Sequence, residues 1–444
     1  MADATDAIDL HDLQSLIVFR RPAPYWGSFV LARFDDAAQG RAALRRLIPH
    51  VVSAAEWGAG RRNLTVSVGL TYEGLATLGL PAESLDGFPV QLRDGMAARA
   101  DRLGDVGDSA PDNWQAPFGT GSVHALVLIT ADSEALWRES LATAATAVDK
   151  AGLQILARQH VAALAGTRTT FGYRDGISFP NIAGLPESPF TAPERPIATG
   201  EFLLGYPCES GAVLPMPQPD VLGRNGIFVG VRKIHTRVAA FRRFLRANSP
   251  DAEGEELLAA KMVGRWRSGA PLSLAPTADD PSLATDVDRL NDFTYADEPQ
   301  GLACPHGAHI RRMNPRDSSL TTLADPRIHR IIRHGAVYGS ALPDSILDDD
   351  GAERGLFFTF MSARADALEF LKREWIDDGN TFDLGSERDP IAGNNDDDGA
   401  IFTIPARPVR RRLRGLERFT VTRGGEYAFV PSLSALRWLT DLEP

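Results

Sequence analysis

The stretch Cys304-Pro-His-Gly-Ala-His309-Ile-Arg-Arg-Met-Asn-Pro-Arg316 decides how this chain is interpreted. In it, His309 is followed closely by Arg311, Arg312 and Arg316. An imidazole nitrogen is a strong iron ligand, and guanidinium groups bind carboxylates through paired hydrogen bonds. An iron porphyrin carries both a metal and two carboxylates, so this stretch predicts a porphyrin site.

Two further polar motifs lie upstream and downstream of this stretch. The first, Phe171-Gly-Tyr-Arg-Asp175-Gly-Ile-Ser178, places one acid in a glycine-rich turn. The second, Arg330-Ile-Ile-Arg333-His-Gly-Ala-Val-Tyr338-Gly339, supplies another arginine. A Gly-x-x-Asp-Gly turn alone is weak, because it fits many proteins. Together, one histidine, one aspartate and one arginine are the set that a peroxidase haem pocket needs.

The three motifs, in this order, resemble those of the dye-decolorizing peroxidases, a family of haem peroxidases. Asp9–Gln14, Gly200–Pro207 and Arg423–Ser432 resemble the opening, middle and end of the family, and the length resembles its longer-chain branch. The resemblance implies two tandem ferredoxin-like domains and one haem b per chain, bound in the C-terminal half. It also implies oxidation of dyes, phenols and in some members Mn²⁺ by H₂O₂.

The resemblance gives each motif a role. His309 is the expected iron ligand, and His306 is its rival, interpreted as a residue that lines the pocket. Asp175 would move a proton of H₂O₂ between its oxygens, and Arg333 would stabilise negative charge as the O–O bond breaks. Arg330 competes with Arg333, three residues earlier on the same face of a helix. The other predicted cofactor contacts are Gly176, Ile177, Ser178, Asn314, Pro315, Arg316 and Arg311.

Further expectations concern the route of electron transfer and the hydrogen-bond partner of the iron ligand. Large dyes cannot enter a sealed pocket, so electrons would pass through aromatic side chains, with Trp375 and Tyr338 as candidates. Trp375 stands in a charged stretch and is expected near the surface. A proximal histidine normally donates its other ring proton to an acceptor, here an acid between Asp383 and Asp398. A catalytic carboxyl that must be protonated predicts greater turnover at acidic pH.

Two other classes of protein remain open from the residues alone. Cys304, His306 and His309 offer one sulfur and two imidazoles, which suit Zn²⁺ in a non-haem metalloprotein. Their spacing does not match a zinc finger, and Cys208 stands alone. A non-catalytic haem-binding or iron-release protein would need His309 but not both Asp175 and Arg333.

Composition limits which partners and which cellular location the sequence predicts. The chain has 444 residues, 43% hydrophobic content and a net charge of −11, which argues against nucleic acid or an anionic membrane as the main partner. Its 2 cysteines are too few for a disulfide framework. No signal peptide, twin-arginine signal or membrane span is recognised, which predicts a cytoplasmic location. The oligomeric state stays open.

Alternating hydrophobic strands followed by helical segments predict the fold class. Strands are expected at 28–34, 63–69, 124–130 and 153–160 in the first half and at 226–232 and 355–360 in the second. Helices are expected at 37–47, 133–150, 236–246 and 363–375. This pattern predicts α+β architecture with two βαββαβ domains, residues 1–195 and 196–444. A doubly wound parallel sheet is the alternative.

Overall fold

A computed structural model describes residues 7–18, 24–58, 64–150, 152–186, 190–191, 193–318, 325–397 and 399–442. Asn63, the predicted start of one strand, lies outside these residues. The strands are β1 Trp26–Arg33, β2 Leu64–Leu70, β3 Ala125–Ala131, β4 Gln154–Ala162, β5 Ile227–Thr236, β6 Ile332–Tyr338, β7 Gly355–Ser362, β8 Ile401–Ile404, β9 Arg411–Arg414 and β10 Thr420–Val430.

Thirteen α-helices, most of them short, connect these strands in the described part of the chain. They are α1 Ala37–Leu47, α2 Ala54–Gly58, α3 Tyr72–Thr77, α4 Ala82–Asp86, α5 Val90–Ala98, α6 Glu134–Lys150, α7 Asp220–Gly223, α8 Val238–Ala247, α9 Ala252–Val263, α10 Pro281–Thr285, α11 His309–Met313, α12 Ala367–Phe370 and α13 Leu433–Thr440. A π-helix, Leu371–Ile376, continues α12.

Eight strands form one antiparallel sheet in the order β4-β1-β3-β2-β10-β5-β7-β6. The first four strands follow the order 4-1-3-2 of a ferredoxin-like unit, and β10-β5-β7-β6 repeats that order in the second half. The two units join where Leu70 of β2 pairs with Phe429 of β10. The α+β prediction of two ferredoxin-like units is therefore confirmed, and the parallel alternative is wrong. The boundary between residues 195 and 196 stays a prediction.

Side chains from the two units pack against each other across one face of this sheet. Phe29 of β1 and Phe357 of β7 lie 4.1 Å apart between ring centroids, and both belong to a buried cluster that draws on strands of both halves. The outer strands β4 and β6 are also in contact. The sheet thus curls toward a barrel, since β-strand twist and two-sided packing favour closure.

Two helical predictions were wrong in the second half. The segment that carries Arg333 is strand β6, not a helix, because Ile331, Ile332 and Val337 are β-branched and Gly335 weakens a helix. The predicted helix at 363–375 is a four-residue α-helix followed by a π-helix. Within the described residues, no helix combines the length and hydropathy that a bilayer-spanning segment requires.

Candidate active site

A cavity of about 380 Å³ lies against one face of the second half of the sheet. Four strands contribute to its wall: Arg333 and Gly335 of β6, Leu356 and Phe358 of β7, Arg232, Ile234 and Thr236 of β5, and Thr420 and Thr422 of β10. Alternate residues of a strand point to one face, which explains the spacing of two within each strand. Helix α11 and the loop after β4 form other walls.

His309, the first residue of α11, lines this cavity. Its Nδ1 lies 2.8 Å from Oδ2 of Asp389, whose side chain is fully buried. An ionised carboxylate can only accept, so this contact places a proton on Nδ1, and in the neutral ring Nε2 is then the nitrogen with the lone pair. His309 therefore has the tautomer and the placement of a metal ligand that uses Nε2.

Asp389 is held as an anion by its surroundings. Burial acts to raise the pKa of Asp389, but His309, Arg312 and the backbone N–H of Ala392 lower it, and the net effect is a lowered pKa. Its Oδ1 also accepts hydrogen bonds from Ile391 N (2.8 Å) and Ala392 N (2.9 Å). Asp389 falls within the predicted range 383–398, so the expectation of an acidic partner there is confirmed.

Asp175 and Arg333 lie close together on another part of the cavity wall. Asp175 Oδ1 accepts a hydrogen bond from Gly176 N at 2.7 Å, and its Oδ2 lies 3.8 Å from where a β-carbon on Gly335 would sit. Gly335 follows Arg333 by two residues on β6 and shares its face. The carboxylate and the guanidinium thus face one space.

Arg333 is open to this cavity although protein surrounds it. Burial and the nearby Arg330 lower the pKa of Arg333, while Asp175 raises it. Arg330 instead pairs with Glu194 at 2.7 Å. Arg330 lies before β6 and also lines the cavity, but its guanidinium is held by this ion pair. Arg333 is the one free to act on a bound molecule.

The cavity wall is strongly cationic on one side. Arg265 donates to the oxygens of Gly269, Leu290 and Asn291, and burial lowers the pKa of Arg265 to about 9. Arg316 donates to Phe293 O at 2.8 Å and stacks 3.8 Å above the Phe293 ring. Neither guanidinium forms an ion pair with any residue that the structure describes. Buried cations without counter-charges are costly, so this side favours an anionic ligand.

Other predicted contacts of the cofactor divide into two groups. Gly176, Ile177, Ser178, Asn314 and Arg316 line the cavity as predicted, but Pro315 and Arg311 do not line it. Arg311 forms an ion pair with Glu298 at 2.8 Å and lies 4.3 Å above the Tyr295 ring. The contact of Arg311 and Pro315 with the cofactor therefore stays a prediction, which the lining of this cavity does not support.

The alternative metal site of Cys304, His306 and His309 is not formed. His306 Nε2 lies 3.0 Å from Pro299 O. His306 was expected to line the pocket, but it is not part of the cavity wall. Cys304 is fully buried beside Gly264 and Ile310. No group of three or more His, Cys, Asp or Glu residues is placed to hold a metal ion in the described ranges. The three side chains thus do not converge.

The two predicted relay residues occupy different environments. Trp375 is 6% exposed, so its predicted surface position is wrong, because the π-helix turns it into the hydrophobic core. Its ring lies 5.4 Å from that of His329, which lines the cavity. Tyr338 is buried away from the cavity, with Lys233 Nζ 4.8 Å above its ring.

Several residues of the site carried no local signal in the sequence. Arg265 and His329 line the cavity but stand outside the three motifs. Leu356 and Phe358 could have been found from the alternation of strand β7, since residues two apart share a face.

Comparison with known proteins identifies the fold and the family. The model of the DyP dimeric alpha+beta barrel domain matches residues 23–159. A dye-decolorizing peroxidase of Mycetinis scorodonius is 33% identical over 84% of this chain and 75% of its own length. One from Exidia glandulosa is 31% identical over 92% of this chain and 82% of its own length.

Solved structures agree with this comparison over nearly the whole molecule. A dye-decolorizing peroxidase in complex with 2,6-dimethoxyphenol superposes with a TM-score of 0.84 and 27% identity, covering 98% of this chain and 100% of the other. An ancestral D-type dye-decolorizing peroxidase gives 0.83 and 27% over 97% of this chain and 99% of the other. Sequence identity, coverage and fold all agree, and the chain belongs to the dye-decolorizing peroxidases, a family of haem peroxidases.

Proposed function

We propose that this chain binds one haem b in the cavity and uses H₂O₂ to oxidise organic reductants such as dyes and phenols. His309 would ligate the iron through Nε2, and Asp175 and Arg333 would act on the peroxide. The observation that carries this proposal is the buried hydrogen bond of 2.8 Å between His309 and Asp389, on the same cavity as Asp175 and Arg333.

The residues of the cavity fit the cofactor. Arg265 is buried and Arg316 half-buried, the hydrogen-bond partners of both are neutral, and two propionates would supply their counter-charges. Apolar side chains suit the porphyrin ring, and they are Leu356, Phe358, Leu368, Leu371, Ile376 and Ile391. A β-carbon on Gly176 would meet nothing within 4 Å, so this glycine leaves open space beside Asp175.

The chemistry divides between cofactor and protein. Bound haem would supply the iron and the two electrons that reduce the peroxide, and the organic reductant would return these electrons one at a time. The Asp175 carboxylate accepts the proton of the near oxygen and returns it to the far oxygen, so that water leaves. The Arg333 guanidinium stabilises the negative charge that develops on the far oxygen. Asp389 keeps the Nδ1 proton of His309 in place.

A spectrum and one rate measurement test the proposal. Protein produced with haem supply should show a Soret band, and H₂O₂ should drive oxidation of an anthraquinone dye and of 2,6-dimethoxyphenol. Protein that folds but takes up no haem, or a haem-loaded form without peroxide-dependent oxidation, would contradict it. In the described part of the chain no cluster of acids is placed to hold a metal ion, so we do not propose Mn²⁺ as a reductant.

Asp389→Asn should weaken the bond between His309 and the iron, but the variant should still bind haem. The substitution keeps the shape but removes the buried negative charge that makes His309 a stronger donor to ferric iron. We expect a more positive iron reduction potential and about 10–100-fold faster haem loss. Spectroelectrochemical titration and haem transfer to an excess of scavenger measure these effects. Asp383→Asn is the control, because Asp383 is an exposed acid on the same loop; equal effects in both variants would contradict the assignment.

Trp375 is the better supported of the two relay candidates. Its ring approaches that of His329, which lines the cavity, and the adjacent Ile376 also lines it. Tyr338 has less support, since an oxidised phenol must release its proton. Its hydroxyl has no hydrogen-bond partner among the described residues, and a lysine cation lies over the ring. We therefore propose Trp375 as the residue that passes electrons from bulky dyes to the cavity.

Trp375→Phe should slow oxidation of an anthraquinone dye while leaving the reaction of ferric enzyme with H₂O₂ unchanged. The reason is that peroxide reacts inside the cavity, whereas a large dye cannot enter it. Steady-state dye turnover and stopped-flow mixing with H₂O₂ measure the two steps. Trp438→Phe, which removes a tryptophan on helix α13, controls for general effects. A lowered melting temperature with equal loss on peroxide, phenol and dye would reject the relay and leave a packing role.

A further inference from the structure

Asn291 forms four hydrogen bonds that connect separate parts of the site. Its Oδ1 accepts from Arg265 Nη2 at 2.8 Å, and its backbone oxygen accepts from Arg316 Nη1 at 3.2 Å. Its Nδ2 donates to Ile177 O at 2.8 Å and to Phe190 O at 2.7 Å. The residue is 1% exposed and does not line the cavity. It therefore acts only through its neighbours.

The groups that Asn291 joins belong to two functions. Arg265 and Arg316 are the cations that we assign to the anionic cofactor. Ile177 follows Asp175 by two residues, so the hydrogen bond to its carbonyl fixes the backbone on the C-terminal side of the Asp175 turn. The N-terminal side of the turn is fixed separately, by hydrogen bonds of 3.0 Å from Arg174 N to Arg267 O and 3.1 Å from Asp175 N to Thr167 O.

The backbone on the C-terminal side of the Asp175 turn needs hydrogen bonds that hold it in place. Gly176 has a positive φ of 73°, and a β-carbon there would meet no atom within 4 Å. A glycine beside open space has much conformational freedom to lose, so hydrogen bonds to the residues that follow it help to fix the backbone next to Asp175. One Asn291 donor bond holds Ile177 of this segment, and the other holds Phe190, whose carbonyl also accepts from Phe179 N at 3.3 Å.

We infer that Asn291 is a positioning residue that couples the cofactor-binding arginines to the loop of Asp175. The inference rests on the proposed function of the cavity. A carboxamide suits this place because it accepts from a guanidinium and donates to two carbonyls at once. When the anionic cofactor fixes Arg265 and Arg316, Asn291 is fixed with them, and the Asp175 turn is held for proton transfer. Displacement of a catalytic group by about 1 Å can cost 10²-fold in rate.

Asn291→Asp tests this role because it keeps the shape and the acceptor for Arg265 but replaces the two donors with an acceptor. We expect the haem-loaded variant to keep its Soret band and to react with H₂O₂ at least about tenfold more slowly. Amide hydrogen exchange of residues 174–180 should be faster than in the wild type. Asn291→Gln, which retains both amide functions, should recover part of the rate.

Asn225→Asp is the matched control. Asn225 is also buried, accepts from Tyr206 Oη at 2.5 Å and donates to Asp12 at 3.1 Å, but it does not line the cavity. Its variant should lose thermal stability and keep the wild-type peroxide rate per bound haem. An equal slowing in both variants would reject a specific role for Asn291.

The wild type provides a measurement that does not depend on any variant. Removal of haem should speed exchange of residues 174–180 far more than exchange of strand β3, and haem loading should reverse this. Unchanged exchange of the 174–180 segment, or a wild-type peroxide rate in Asn291→Asp, overturns the inference while the proposed function stands. A wild type that binds no haem, or binds it without reacting with H₂O₂, overturns the proposed function itself.

Discussion

His309→Ala is expected to purify with little or no haem, whereas His306→Ala keeps a normal Soret band. We propose the Nε2 of His309 as the iron donor on the cavity wall, and its other nitrogen is anchored to a buried carboxylate 2.8 Å away. His306 contacts Pro299 O and does not reach the cavity. Haem content per chain, from the pyridine haemochrome spectrum and protein absorbance, measures the difference.

Imidazole can separate loss of the ligand from loss of the fold. The His309→Ala cavity gains a space next to Asp389, which can accept a hydrogen bond from free imidazole as it does from the side chain. Haem added with imidazole should therefore bind the variant more tightly than haem alone, with a circular dichroism spectrum like that of the wild type. A haem-free His306→Ala beside a haem-replete His309→Ala would reverse the ligand assignment.

The three motifs allowed the main site residues to be predicted from local sequence. Each combines a functional side chain with characteristic neighbours, such as the glycines around Asp175 and the arginines after His309. The motifs were therefore recognisable separately, and the structure brings His309, Asp175 and Arg333 to one cavity. The antiparallel units were also predictable, because alternating hydrophobic residues indicate strands with one face in a core.

Side-chain direction within a motif was not predictable in the same way. Arg311 and Arg312 follow His309 in a short helix, where successive residues point about 100° apart. One turn therefore cannot aim all three at one ligand. Arg311 turns to Glu298, and Arg312 donates to the carbonyls of Trp375, Asp378 and Glu387. Composition indicated cations near a ligand but not which of them face it.

Long-range partners left no signal near the motifs. Asp389 lies 80 residues after His309, and Arg265 lies 44 residues before it. Such contacts depend on how loops pack onto the sheet, and neither periodicity nor spacing describes that packing. The surface position expected for Trp375 failed for a related reason. Charged neighbours suggested solvent, but the π-helix presents Trp375 to the core while Arg373 and Glu374 remain more exposed.

Asp175→Asn and Arg333→Leu should both retain haem and lose much of the reaction with peroxide. Asp175→Asn preserves shape and removes the proton acceptor, while Arg333→Leu removes the cation and leaves the carboxylate. A positioned acid–base group contributes roughly 10²–10⁴-fold, so at least one variant should lose that much in the rate of the Soret change after mixing with H₂O₂. Arg327→Leu is the control, because Arg327 is paired with Glu209 and Asp325 and does not line the cavity.

The double variant shows how the two side chains share the task. Both face one space, since Asp175 lies beside Gly335 on the same strand face as Arg333. Either can then direct a water molecule that moves the proton, and the single losses should be uneven. Their product should differ from the loss in the double variant, because contacting catalytic groups are not additive. Near-wild-type peroxide rates in both single variants and in the double variant would remove Asp175 and Arg333 from the mechanism, whatever the fate of His309.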